Sequence, residues 1–75
     1  MNALKPILNF LFAGPTTVSE IADFFEMKAE EVEEVLREAW ERGLVRLRGE
    51  EVELTEKGRS YVYRYVLRLH VHAPW

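Results

Sequence analysis

The chain has no cysteine. That removes disulfide staples, thiolate metal sites and cysteine nucleophiles at once. Glutamine is absent too, and there are only two asparagines, Asn2 and Asn9, beside many Glu, Arg and Val. Loss of heat-labile amides with a gain in charge predicts a thermophilic protein; a melting point in the ordinary mesophile range would overturn that expectation. No apolar run approaches the ~20 residues that span a bilayer. The start, Met1 to Phe12, lacks the charged-then-apolar order of a secretory signal. A soluble cytoplasmic protein is therefore expected, with no membrane role.

What is present fits one small domain. Seventy-five residues leave no room for a second core, and 48% hydrophobic content is too high for a disordered chain. The net charge of −3 is unevenly placed. Through Val45 there are four basic and nine acidic residues; from Arg46 on there are six basic and four acidic. Beyond Glu56 there is no acid, while Lys57, Arg59, Arg64 and Arg68 are all basic. The front is acidic and the tail is basic.

A first helix is expected from about Leu4 to Ala13, with Pro6 early in it and Gly14 just past its end. Ile7, Leu8, Phe10, Leu11 and Phe12 make it apolar nearly all round, as a core helix is. Thr17-Val18-Ser19-Glu20 has the spacing of a capping box, which opens a second helix. After a short turn near Met27, a third helix runs from Ala29 to Arg42. Val32, Val35, Leu36, Ala39 and Trp40 recur at helical spacing and are assigned to its core face. Gly43 supplies its left-handed cap.

In LVRLRGEEVEL, Arg48-Gly49-Glu50-Glu51 reads as a tight hairpin with a type II′ turn. That register pairs Arg48 with Glu51, Leu47 with Val52, Arg46 with Glu53 and Val45 with Leu54. Apolar pairs then share one face and charged pairs the other. Thr55 is a good N-cap for a fourth helix reaching about His70. The alternation of Tyr61, Tyr63, Tyr65, Leu67, Leu69 and Val71 also fits a strand; the cap favours helix over 56–66, and the end beyond Leu67 stays open. The expected fold is mainly α with a small β-hairpin.

Residues 18–45, VSEIADFFEMKAEEVEEVLREAWERGLV, resemble the winged helix-turn-helix of MarR-like and related archaeal and bacterial transcriptional regulators. Ser19-Glu20-Ile21-Ala22 is similar to the opening of their second helix. Leu36, Ala39 and Arg42-Gly43-Leu44-Val45 are similar to the end of their recognition helix, and LTEKGR, Leu54 to Arg59, to the step from wing to next helix. The resemblance covers about residues 4–66. It implies a single winged-helix domain, with the helix-turn-helix at 17–43, the wing at 45–54 and a C-terminal helix at 55–70. It also implies a dimer on duplex DNA, with the third helix in the major groove and the wing on the backbone. The wing tip is only two residues long, the long dimerisation helices of full MarR proteins are missing, and Lys28 stands where a Ser or Thr cap is usual.

The charges oppose the DNA reading in part. Phosphate neutralisation dominates DNA affinity, and base reading uses Arg, Lys, Asn and Gln more than carboxylates. Opposite the apolar stripe of the third helix lie Glu30, Glu34, Arg37, Glu38 and Glu41, with Glu31 and Glu33 beside them. Helix-dipole effects and the i,i+4 pairs Glu33–Arg37 and Glu38–Arg42 explain such acids without any ligand. Candidate nucleic-acid contacts are Lys28, Arg37, Arg46, Arg48, Lys57, Arg59, Arg64 and Arg68. The alternative is a protein-binding adaptor whose acidic face, Glu30, Glu34, Glu38 and Glu41, meets a basic partner. In either case Tyr61, Tyr63, Tyr65 and Leu69 are expected at a homodimer contact, because the aromatic fourth helix exceeds what one small core covers.

Catalysis and metal binding find little support. Ser19 and Ser60 have no histidine base near them in sequence, and there is no glycine-rich phosphate loop. His70 and His72 are two ligands where zinc needs three or four. The expectation is a non-enzyme with no cofactor and no metal.

Overall fold

The structure, a computed structural model, describes residues 3–66. Arg68, Leu69, His70 and His72, and the reach of the fourth helix to His70, lie outside the described residues. The elements follow in the order α1 (Leu4–Leu11), β1 (Thr16–Thr17), α2 (Val18–Phe25), α3 (Ala29–Glu41), β2 (Val45–Arg48), β3 (Glu51–Leu54) and α4 (Glu56–Tyr61). A wider π-helical turn, Val62–Val66, continues α4. The chain is thus mainly helical with a three-stranded antiparallel sheet in the order β1-β3-β2.

The hairpin adopts the register read from its charge pairs: Val45 opposite Leu54, Arg46 opposite Glu53, Leu47 opposite Val52 and Arg48 opposite Glu51. Gly49 takes φ +60 while Glu50 stays at negative φ, which excludes type I′ and leaves type II′. The third strand was not expected. Two threonines are too short to show an alternation, yet Thr16 and Thr17 pair with Val52 and Glu51. They also start α2. Thr17 Oγ accepts from the Glu20 amide at 3.1 Å, and the Thr17 amide donates to the Glu20 carboxylate at 3.4 Å, closing the capping box. The Thr16 hydroxyl donates to the same carboxylate, so the one buried polar side chain among the described residues is satisfied.

Both α2 and α3 end in the same hydrogen-bond motif. The Leu44 amide reaches the Ala39 carbonyl and the Gly43 amide the Trp40 carbonyl; the Met27 amide reaches Ala22 and the Glu26 amide Asp23. These are Schellman caps. Gly43 holds the left-handed position of the first at φ +75, and Glu26 that of the second at φ 55. Lys28, in the turn between the helices, donates its amide to the Glu31 carboxylate at 2.9 Å. The third helix therefore has half a capping box without a Ser or Thr.

The core is formed by Leu4, Ile7, Leu8 and Leu11 of α1, Ile21 of α2, Val32, Leu36 and Ala39 of α3, the strand residues Val45, Val52 and Leu54, and Leu44 and Val62. One core assignment fails. Trp40 is 57% exposed. Eight residues at about 100° each put it roughly 80° around the helix from Val32, past the edge of the stripe. Leu47 keeps the apolar sheet face with Val52, but near the hairpin tip it lies beyond the core and is 54% exposed.

The junction between α3 and α4 is tightly built. The Thr55 hydroxyl accepts from the Gly58 amide at 3.0 Å and donates to the Gly43 carbonyl at 2.6 Å. The Thr55 amide donates to the Leu44 carbonyl at 3.0 Å. A Cβ on Gly58 would lie 1.9 Å from that same carbonyl oxygen, so only glycine lets α4 approach. The Lys57 stem lies over Gly43. LTEKG is thus a docking device for α4.

Candidate functional site

The site begins with two large apolar side chains that the core leaves out. Trp40 projects from α3 and Leu47 from β2, and the space between them is a groove of about 820 Å³. Thr17, Val18 and Ser19 at the start of α2 close one end, and Gly49 to Val52 of the hairpin form a wall. From α3 come Glu33, Leu36, Arg37, Trp40 and Glu41, spaced as one helical stripe. Leu36 belongs to both stripes: 3% exposed, it is core, and its edge is groove floor. Three acidic residues, Glu33, Glu41 and Glu50, stand against one guanidinium, Arg37; Glu51 also lines the groove, but its side chain alternates to the other face of the hairpin.

The hairpin arginines do not offset that charge. Arg46 Nε lies 2.9 Å from Glu53 Oε2, and Arg48 reaches the same oxygen diagonally at 3.7 Å rather than its cross-strand neighbour Glu51. Side chains alternate across a strand, so Arg46, Arg48, Glu51 and Glu53 occupy the sheet face opposite Leu47 and Val52. Such surface pairs stabilise the fold little; the strand alternation is what sets the face these cations leave from.

The sequence-derived basic residues do not form one surface patch. Lys28 is exposed at the head of α3 and Arg37 lies in the groove. Lys57, Arg59 and Arg64 are exposed on α4 and the turn after it. Arg59 lies over the Phe12 ring at 5.4 Å, and Arg42 over Tyr61 at 5.2 Å while also pairing with Glu38 at 3.4 Å. Among the described residues the expected Glu33–Arg37 pair does not form.

Glu30, Glu34, Glu38 and Glu41 are all exposed, and of these Glu41 alone lines the groove. Tyr61 packs a tilted ring against Tyr65, with centroids 5.0 Å apart, and Tyr63 and Tyr65 are about half exposed. Phe24 is exposed yet packs its ring on Phe10 and Phe25, at 4.6 and 5.0 Å. Sequence reasoning missed Trp40, Leu47 and Glu50 as features of this surface. The signal was there for Trp40: it sits three residues after Arg37 and one before Glu41, on the polar side of the stripe. For Leu47 there was none, since its alternation matches Val45.

Fold and groove together define a small, mainly helical domain with a short antiparallel sheet. Residues 3–66 match a family described as Domain of unknown function (DUF8579), and the chain belongs to that family. No curated protein matches the chain. No solved structure matches it either. Among the described residues no helix is long and apolar enough to cross a membrane.

Proposed function

We propose that this is a winged helix-turn-helix domain that binds a basic protein partner through the face formed by α3 and its hairpin. The order of elements, with a short strand ahead of α2 that pairs beside the hairpin, supports the winged-helix reading. In that reading α2 and α3 are the helix-turn-helix and β2–β3 is the wing. One observation carries the choice of partner. The groove where a DNA reader would present cations presents Trp40, Leu47 and the acidic residues Glu33, Glu41 and Glu50 against one arginine. Carboxylates beside phosphates repel at every DNA site, specific or not.

A DNA-binding regulator is the second reading, and Lys57, Arg59 and Arg64 favour it. They are exposed, and none forms an ion pair among the described residues. As a dimer the protein would grip the duplex backbone with them, together with Arg68. The proposed dimer contact is formed by the aromatic residues Tyr61, Tyr63 and Tyr65; a monomer by light scattering at high concentration would overturn it.

Fluorescence anisotropy with random duplex DNA separates the readings. The adaptor reading expects no binding even at low salt, and binding gained when Glu34, Glu38 and Glu41 are all changed to Lys. Wild-type binding that falls steeply with salt and is lost in Arg64→Glu would replace it with the regulator reading.

A further inference from the structure

We infer that the groove between α3 and the hairpin is the docking site for a basic amphipathic segment of the partner, whose apolar side chains seat between Trp40 and Leu47 and whose lysines or arginines meet Glu33, Glu41 and Glu50. The inference rests on the adaptor reading and deepens it by naming the site and the chemistry of its occupant.

Three observations converge. The first is the apolar surface. Trp40 and Leu47 are more than half exposed, and half-buried Val18 and the edge of Leu36 lie between them. A large aromatic beside a large aliphatic, on facing elements, is the composition of an interface centre. The second is charge. Among the described residues Arg37 is the one cation lining the groove, and Arg46 and Arg48 leave from the far face of the hairpin, where they pair with Glu53. The rim carboxylates have no ion pair among the described residues. An occupant with cations flanking its apolar side chains satisfies both at once, and an acidic or uncharged one does not.

The third is shape. About 820 Å³ holds several side chains, and most of the lining residues are exposed, so the groove is open to solvent. Small-molecule sites of ~300–1,000 Å³ bury most of their ligand. An open groove suits a chain lying along it, as an amphipathic helix lies in its receptor.

The test uses the full chain, labelled with ¹⁵N and followed by NMR. The probes are an amphipathic Leu/Lys peptide, a Gly/Lys peptide of equal charge, and a random DNA duplex. The expected result is saturable shifts from the Leu/Lys peptide at the Trp40 indole, Leu47 and Glu50. Its affinity should fall about tenfold or more in Trp40→Ala with Leu47→Ser, and similarly in Glu41→Lys with Glu50→Lys. Circular dichroism confirms that both variants fold.

Equal binding of the Gly/Lys peptide would overturn the apolar docking site but leave an acidic protein-binding face. So would Leu/Lys shifts confined to other surfaces. Absence of any peptide binding would overturn the inference itself. Duplex DNA that shifts the groove residues and displaces the peptide would overturn the adaptor reading as well.

Discussion

Helix α3 serves two regions that differ in how completely their chemistry is matched. At its C-terminal end, against α4, each group named has a partner. Gly43 and Leu44 close the Schellman cap, Thr55 bonds in both directions, and Gly58 lies against a backbone carbonyl. Along its flank, toward the hairpin, Trp40 and Leu47 stand in solvent and carboxylates outnumber cations. A short chain has few large apolar side chains to spare for its core. Two left half exposed on facing elements mark where the domain has surface to offer rather than stability to gain. The residues that most resemble regulator motifs, Arg42-Gly43-Leu44 and LTEKGR, all fall in the matched region. Their resemblance therefore speaks for fold and not for ligand.

The comparison can be broken at either side. The largest effect is expected from Gly58→Ala, which forces a Cβ into the Leu44 carbonyl. A loss of about 3 kcal/mol or more, read by chemical denaturation, is expected, since the clash is with backbone. Thr55→Ala removes an N-cap and the bond to Gly43, and should cost about 2 kcal/mol by the same measurement. Trp40→Ala should cost about 1 kcal/mol, from its partly buried ring edge. A loss equal to that of Gly58→Ala would make Trp40 a structural residue and erase the contrast. Glu53→Gln should change stability by about 0.5 kcal/mol or less while freeing Arg46 and Arg48. If DNA anisotropy then rises in a salt-dependent way, the hairpin reaches phosphate; a flat response keeps the groove reading.

Much of the fold was legible because local rules agreed with one another. The Thr17 capping box, the Gly43 cap, the Thr55 cap and the four matched hairpin pairs each fix a boundary, and the structure has all of them. The misses have physical causes. β1 is two residues long, and its partner Val52 is more than thirty positions away, so no local pattern marks it. The Arg48 ion pair runs diagonally because one carboxylate, Glu53, draws both arginines. Trp40 matched the apolar period but sits at its drifting edge. The site was legible as an acidic helix and invisible as a groove. Its second wall comes from Leu47 and the turn after it, and only the packing of α3 on β2 brings the two together. Arg68, Leu69 and the two histidines lie outside the described residues.

The Thr55 hydroxyl has one further consequence. Its bond to Gly43 spans twelve residues, and the segment it encloses is the whole hairpin. The hairpin is fastened at its base to the end of α3 and along β3 to β1. What remains adjustable is the tip at Gly49, where nothing lies within 4 Å of the position a side chain would take. A segment entering the groove would meet a wall already set in place at its base and would order little more than a turn. Rigid surfaces of that kind lose little conformational entropy on association. Thr55→Ala should therefore slow complex formation and weaken it, although residue 55 lies outside the groove.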